Sequence, residues 1–191
     1  MSILWPLGGV VAGALAGSFI ATLCLRWPRG EQAMSGRSIC DGCQRPLGPA
    51  ELVPVISALI LRGRCRTCGA GIPRFHLQVE LIAACLGGVA LALEPNFRGA
   101  ALALFWLLLL PSALLDARHY WLPDRLTLAI AAGGMALGGL VSGAALADRL
   151  IGGGVGFVAL WLIAQAYRRA RGREGLHDLP GRVGFVDPGH E

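Results

Sequence analysis

The stretch Phe97-Arg-Gly-Ala-Ala-Leu-Ala-Leu-Phe-Trp-Leu-Leu-Leu-Leu-Pro-Ser-Ala-Leu-Leu-Asp116 decides the fold class. No charge interrupts it between Arg98 and Asp116, and polar residues do not alternate with apolar ones as they would along a half-buried strand. Its length approaches the roughly 20 apolar residues that a helix needs to cross a hydrocarbon core about 30 Å thick. Inside a bilayer no water satisfies backbone N–H and C=O groups, so an apolar run of this kind must satisfy them itself, as a helix.

Outward from this run, four more segments meet the same length criterion: about Ile3 to Leu25, His76 to Leu93, Leu126 to Ala147 and Leu150 to Tyr167. Composition agrees. Of 191 residues 54% are hydrophobic and 15% charged, against about 25% charged in a soluble domain. A disordered chain is excluded as well, because such chains are poor in apolar residues. The expectation is an all-α membrane protein with about five transmembrane helices. Residues 1–25 form the first, 26–75 a small zinc-ribbon-like loop domain, 76–167 a four-helix membrane core, and 168–191 a basic and then irregular tail.

The charges predict an orientation. The net charge is +5, and all seventeen basic residues other than His are Arg. Eight of them lie between Arg26 and Arg74; Arg118 and Arg125 follow the third span; Arg168, Arg169, Arg171, Arg173 and Arg182 follow the fifth. Basic residues favour the cytoplasmic side. Five crossings with the N-terminus outside place those fifteen inside and leave only Arg98 and Arg149 outside. The first span has no basic residue before Arg26, unlike a cleaved signal, so it reads as a retained anchor. The basic runs read as flanks that meet the headgroups of the lipid bilayer. Without aromatic residues interleaved among them, they do not indicate nucleic acid.

Within the loop lie two CxxC pairs, Cys40 with Cys43 and Cys65 with Cys68. Each pair lets two sulfurs from one tight turn reach an ion at about 2.3 Å, and two turns complete a zinc tetrahedron. Gly42 and Gly69 supply permissive backbone in or beside the turns. Two disulfides are the competing arrangement, and the reducing cytoplasmic side favours metal. Four protein ligands leave no open position for water, so the zinc would be structural. Cys24 and Cys85, inside apolar spans, read as small buried hydrophobes.

Asp116 sits at the inner end of the third span, where an ionisable group at membrane depth marks a functional candidate; the plainer alternative is an interfacial cap or a partner for Arg118. Two neighbouring carboxyl groups can share a proton and activate water. Asp124, after Leu122-Pro123, is the nearest partner: about 12 Å away if the intervening chain were helical, closer if Pro123 makes a turn. It also suits a helix cap. His76 and Glu80, four apart, suit an interfacial salt bridge or hydrogen bond better than a metal. Gly152-Gly153-Gly154 and Gly156 suit close helix packing better than a phosphate loop.

The order Gly17-Ser18-Phe19, Arg26-Trp-Pro-Arg-Gly30, Ser38-Ile-Cys-Asp-Gly-Cys43, Leu59-Ile-Leu-Arg-Gly-Arg-Cys-Arg-Thr-Cys68, Val79-Glu80-Leu81 and Asp116-Ala-Arg-His-Tyr-Trp-Leu-Pro-Asp124 resembles the type IV prepilin peptidases. The resemblance runs from about Gly8 to Gly175. It implies a multi-pass aspartic endopeptidase of the bacterial inner membrane, serving type IV pili and type II secretion. Such an enzyme cuts leader peptides from prepilins and pseudopilins at the cytoplasmic face, and in many members methylates the new N-terminus with S-adenosylmethionine. It makes Asp116 the first catalytic aspartate, and Cys40, Cys43, Cys65 and Cys68 the zinc-type cluster. The family's second aspartate lies in a Gly-x-Gly-Asp motif, and that motif does not occur here. Asp178, in His177-Asp-Leu-Pro180, is the nearest substitute and lacks the glycines. The departure implies a truncated or frame-shifted product with impaired proteolysis. The alternative is a non-catalytic membrane module whose zinc-type loop binds pilin leaders or assembly proteins.

Overall fold

The computed structural model describes residues 3–32, 38–40 and 42–171. The described residues hold six α-helices and no strand: α1 Leu4–Arg26, α2 Ile56–Ile60, α3 Arg74–Leu93, α4 Phe97–His119, α5 Asp124–Ser142 and α6 Leu146–Arg171. All but the short α2 are long and apolar enough to cross a membrane, so the five expected spans are present. Asp178 and the tail from residue 172 lie outside the described residues.

The helix ends follow local chemistry. Asn96 accepts hydrogen bonds from the Arg98 and Gly99 N–H groups, at 2.7 and 3.4 Å, and starts α4. Tyr120, at φ 48°, ends it in the left-handed region, with its N–H on the Asp116 carbonyl. The third span therefore runs one turn past Leu115 and carries Asp116 in its last turn. Gly143, at φ 71°, ends α5. Residues 145–147, expected at the end of the fourth span, thus lie around the next helix start, and Asp148 falls in the first turn of α6.

The chain divides into two compact units, Met1–Ala144 and Ala145–Glu191. In the second, α6 is one continuous helix that includes Gly152, Gly153, Gly154 and Gly156, which excludes a phosphate loop there.

In the first unit α1 and α3 pack antiparallel at unusually short range. Gly9, Gly13 and Gly17 recur every fourth residue of α1 and lie against Gly87, Ala83 and Glu80 in turn. A methyl group at Gly17 would come within 2.8 Å of Ala83 Cβ and of Glu80 Cα. Small residues at helical spacing let backbones approach closely, which is how apolar helices gain van der Waals attraction where lipid supplies no hydrophobic drive. The core continues through Ile20, Ala21, Leu23, Cys24, Phe75, Val79, Leu115 and Leu126, which joins α1, α3, α4 and the first turn of α5. The Cys24 thiol lies 4.0 Å from the Pro111 carbonyl and is buried as expected. Cys85 is exposed on α3, contrary to the expectation, because the small-residue seam rather than the whole helix is covered.

The two ends of this bundle differ chemically. At one end Trp5 meets Phe97 edge-to-face, with ring centroids 6.2 Å apart. There too the Arg98 guanidinium donates to the Leu140 and Val141 carbonyls, at 3.0 and 3.5 Å, and so caps α5 with positive charge. The other end carries Arg26, Arg74, Arg118 and Arg125. Here the Arg118 guanidinium stacks 3.9 Å over the Phe75 ring and ties the last turn of α4 to the first turn of α3. Within this unit Arg98 thus stands at the end opposite Arg26, Arg74, Arg118 and Arg125.

Candidate functional site

The loop between α1 and α3 folds around its cysteines as two copies of one turn. The Cys40 N–H donates to the Arg45 carbonyl and the Gln44 N–H to the Cys40 carbonyl, at 2.9 and 2.8 Å. Residues Ile39 and Pro46 close an antiparallel bridge. In the second copy the Cys65 N–H donates to the Ala70 carbonyl and the Gly69 N–H to the Cys65 carbonyl, at 2.8 and 3.0 Å, and Arg64 bridges to Gly71. The residue after each second cysteine is left-handed: Gln44 at φ 55° and Gly69 at φ 71°. Gly69 thus has the turn role expected of it. Gly42 has another: a side chain there would come within 2.7 Å of Ala70 Cβ and 3.3 Å of Cys68 Sγ, so its lack of one lets the two turns meet.

Because the turns face each other, Cys40, Cys43, Cys65 and Cys68 bring all four sulfurs within 4.8 Å of one another, with Cys40 Sγ 3.7 Å from Cys68 Sγ. A tetrahedral ion with bonds of about 2.3 Å requires sulfurs about 3.8 Å apart, so the donor set fits zinc in both chemistry and spacing. All four are free thiols; the alternative of two disulfides is not what the loop adopts. Their acidities diverge as in a crowded thiol set. The N–H groups of Cys68 and then Thr67 hold the Cys65 thiol down at about 6. For Cys68 the Ala70 N–H pulls the same way, and desolvation with the sulfurs of Cys43, Cys65 and Cys40 outweighs it, raising the thiol to about 11. A divalent cation would displace the protons that such a set retains. Arg45, next but one to Cys43, pairs with Glu51 at 2.6 Å beside the cluster. Arg45 and then the Gly48 N–H lower the Glu51 carboxyl.

Glu80 does not join a metal site. It is 6% exposed, the one buried charged residue among those described, and its carboxylate accepts the Val55 N–H at 2.8 Å. Glu80 therefore takes a hydrogen bond from the loop, a partner outside its own helix.

Asp116 is exposed in the last turn of α4, directly after the fully buried Leu115. Asp124 is also exposed and is the first residue of α5. Pro123 occupies the cap position, so Asp124 makes no capping hydrogen bond and acts on the helix dipole through its charge alone. The chain between them is not helical throughout: α4 stops at His119, Tyr120 reverses the backbone, and α5 starts again at the same end of the bundle. The cysteine loop leaves from this end too, between Arg26 and Arg74. Sequence reasoning missed the stripe Gly9-x-x-x-Gly13-x-x-x-Gly17, whose spacing was the available signal, and the Glu80 clamp, for which there was none beyond a carboxylate near a span end.

Two family models match consecutive parts of the chain: the bacterial peptidase A24 N-terminal domain over residues 11–93, and the type IV leader peptidase family over residues 101–179. The chain belongs to the type IV leader peptidase family. Among its relatives, the prepilin leader peptidase/N-methyltransferase of Aeromonas hydrophila is 40% identical over 148 residues, 75% of this chain and 50% of that protein. The proteins of the same name from Dichelobacter nodosus and Pseudomonas aeruginosa are 36% and 34% identical over 142 and 140 residues, 73% of this chain in each case and 49% and 48% of theirs. The chain thus spans about half the length of the curated relatives it matches. No solved structure matches it. Within the family, the first model covers the α1–loop–α3 assembly with its four cysteines, and the second covers Asp116 and Asp124.

Proposed function

We propose that this chain serves type IV prepilin processing: a multi-pass protein of the bacterial inner membrane, N-terminus outside, that cleaves leader peptides of prepilins and pseudopilins at the cytoplasmic face by aspartic chemistry. The observation that carries the reading is Asp116, exposed in the last turn of α4 at the Arg-rich end of the bundle, within the part of the chain that matches the type IV leader peptidase family. In this role an ionised Asp116 takes a proton from water as the water attacks the scissile carbonyl, and a second, protonated carboxyl group gives its proton to the developing oxyanion. Asp124 is the second carboxyl offered at the same end by the described residues; Asp178 lies outside them. Zinc, held by Cys40, Cys43, Cys65 and Cys68, shapes the loop. The N-methylation in the relatives' names belongs to the same proposal, with S-adenosylmethionine as donor.

The test is incubation of membranes containing the chain with a prepilin. Leader loss that falls by about 10²–10⁴-fold with Asp116→Asn, the usual contribution of a positioned acid–base group, supports the reading. Cleavage unchanged by that substitution overturns it. Leader binding without cleavage, abolished by Cys65→Ser with Cys68→Ser, would assign the chain instead to a non-catalytic leader-binding module.

A further inference from the structure

We propose that residues 52–61 of the cysteine loop dip into the bilayer as an interfacial anchor that binds the acyl boundary beneath anionic phospholipid headgroups. The inference rests on α1 and α3 crossing the membrane, and it is independent of proteolysis.

Depth is the first argument. Glu80 is the seventh residue of α3, about 9 Å along the helix from Arg74 at 1.5 Å per residue. The α1 residue that Glu80 packs against is Gly17, nine positions before Arg26, or about 14 Å from it. The Val55 N–H is bonded to the Glu80 carboxylate at 2.8 Å, and that side chain leans back toward the start of α3, so the loop folds down along the first turns of α3 to within one side chain's reach of that level. Interfacial helices bury their apolar faces about 5–10 Å below the headgroups; the distance from Arg74 falls within that range and the distance from Arg26 lies just beyond it.

Side chains are the second argument. Ile56, Leu59 and Ile60 on α2 are 56%, 65% and 74% exposed, and Leu52 and Val53 before them are exposed as well. Five large apolar side chains presented together by a loop would be costly in water. At the depth set by Glu80 they meet lipid tails.

Backbone accounting is the third. Non-helical backbone at membrane depth persists only where its polar groups are satisfied. Val55 adopts φ 61°, ψ −51°, the rare positive-φ γ-turn, with the Ile56 N–H on the Pro54 carbonyl at 2.6 Å. Its own N–H, which this turn leaves outside the ladder, is the group that Glu80 accepts. Downstream, the Ser57, Leu59, Leu61 and Gly63 N–H groups bond to the Val53, Val55, Ser57 and Ala58 carbonyls, at 2.9 to 3.1 Å.

Charge names the occupant. The apolar run is followed at once by Arg62, Arg64 and Arg66, all exposed. Arginines bordering an inserted apolar face meet anionic headgroups, to which basic residues beside a membrane are attracted.

The experiment reconstitutes the full chain in vesicles of phosphatidylcholine and phosphatidylglycerol, with a benzophenone amino acid at one position at a time, and reads lipid adducts by mass spectrometry after irradiation. Ile60 is the test position. Leu15, on the exposed face of α1, reports whether the span is in lipid, and Gln32, exposed in the loop, reports the water-facing background. Adducts at Ile60 comparable to Leu15 and several-fold above Gln32, with phosphatidylglycerol enriched over its share, are expected. Adducts at Leu15 while Ile60 stays at background overturn the anchor and leave the spans intact. Failure at Leu15 overturns both. A crosslink from Ile60 to a second copy assigns the face to self-association and overturns the proposal.

Discussion

Replacing Gly13 by alanine adds a single methyl group, and the structure fixes where it must go. That carbon would strike the Ala83 carbonyl, lie 2.8 Å from its carbon and 2.9 Å from Ala84 Cα. All three are backbone atoms of α3, so no side chain can turn aside. Ordinary contact begins near 3.4 Å, and α1 must retreat from α3 by at least the difference, about 0.6 Å. A gap of 0.5–1 Å forfeits roughly a quarter to a half of each dispersion well along the seam. That seam includes Ala21, Val79, Ala83 and Ala90, each at most 1% exposed. Overpacking of this kind costs about 1–3 kcal/mol. Gly8→Ala is the matched control: it lies on the same helix, and its added methyl meets nothing within 4 Å. Thermal unfolding in detergent, followed by circular dichroism, should show Gly13→Ala destabilised by that amount and Gly8→Ala unchanged. Equal effects from the two substitutions would refute the close backbone approach as the source of α1–α3 stability.

Removing the Glu80 carboxylate with Glu80→Ala orphans the Val55 N–H at a cost of about 1–3 kcal/mol, and hydrogen exchange should accelerate at Val55 and Ile56, less so in Glu80→Gln, which keeps an acceptor. Cys65→Ser should bring bound zinc well below one per chain, measured by native mass spectrometry; full occupancy would count against the four-sulfur site. Because Cys65 is held at about 6 in the metal-free loop, zinc binding at neutral pH should release fewer than four protons, read from the buffer dependence of the calorimetric heat. The sign follows from the lowered pKa: the stabilisation of this thiolate is complete above the ordinary thiol range near 9 and is lost as pH falls through about 6. Glu51, lowered by Arg45 and the Gly48 N–H, behaves alike at lower pH, so Glu51→Gln should flatten the acid limb of loop unfolding.

The spans were legible because hydrocarbon imposes one simple demand, an apolar length that satisfies its own backbone. The run from Phe97 to Leu115 meets that demand with no knowledge of its neighbours. The cysteines were legible for a similar reason, since two CxxC turns state their geometry locally, down to the left-handed Gly69. Helix ends were read less well: the fourth span was expected to run to Ala147, and α5 stops at Ser142 because Gly143 turns left-handed. Asp116 in the last turn of α4 and Asp124 at the start of α5 stand at the helix ends where they were expected. Cys85 was misplaced because hydrophobicity does not separate a face against lipid from a face against protein.

By itself, then, the sequence determined the class of the molecule, its five spans, the uneven placement of its arginines and the donor set for a metal, because each depends on composition or on spacings of a few residues. Only the tertiary structure decided which glycines touch, that the two cysteine turns close on one another through Gly42, and that Glu80 reaches across 25 positions to hold Val55. Those are contacts between segments distant along the chain. Which partner a buried carboxylate or a bare glycine meets depends on how the helices pack, and packing is a property of the whole fold.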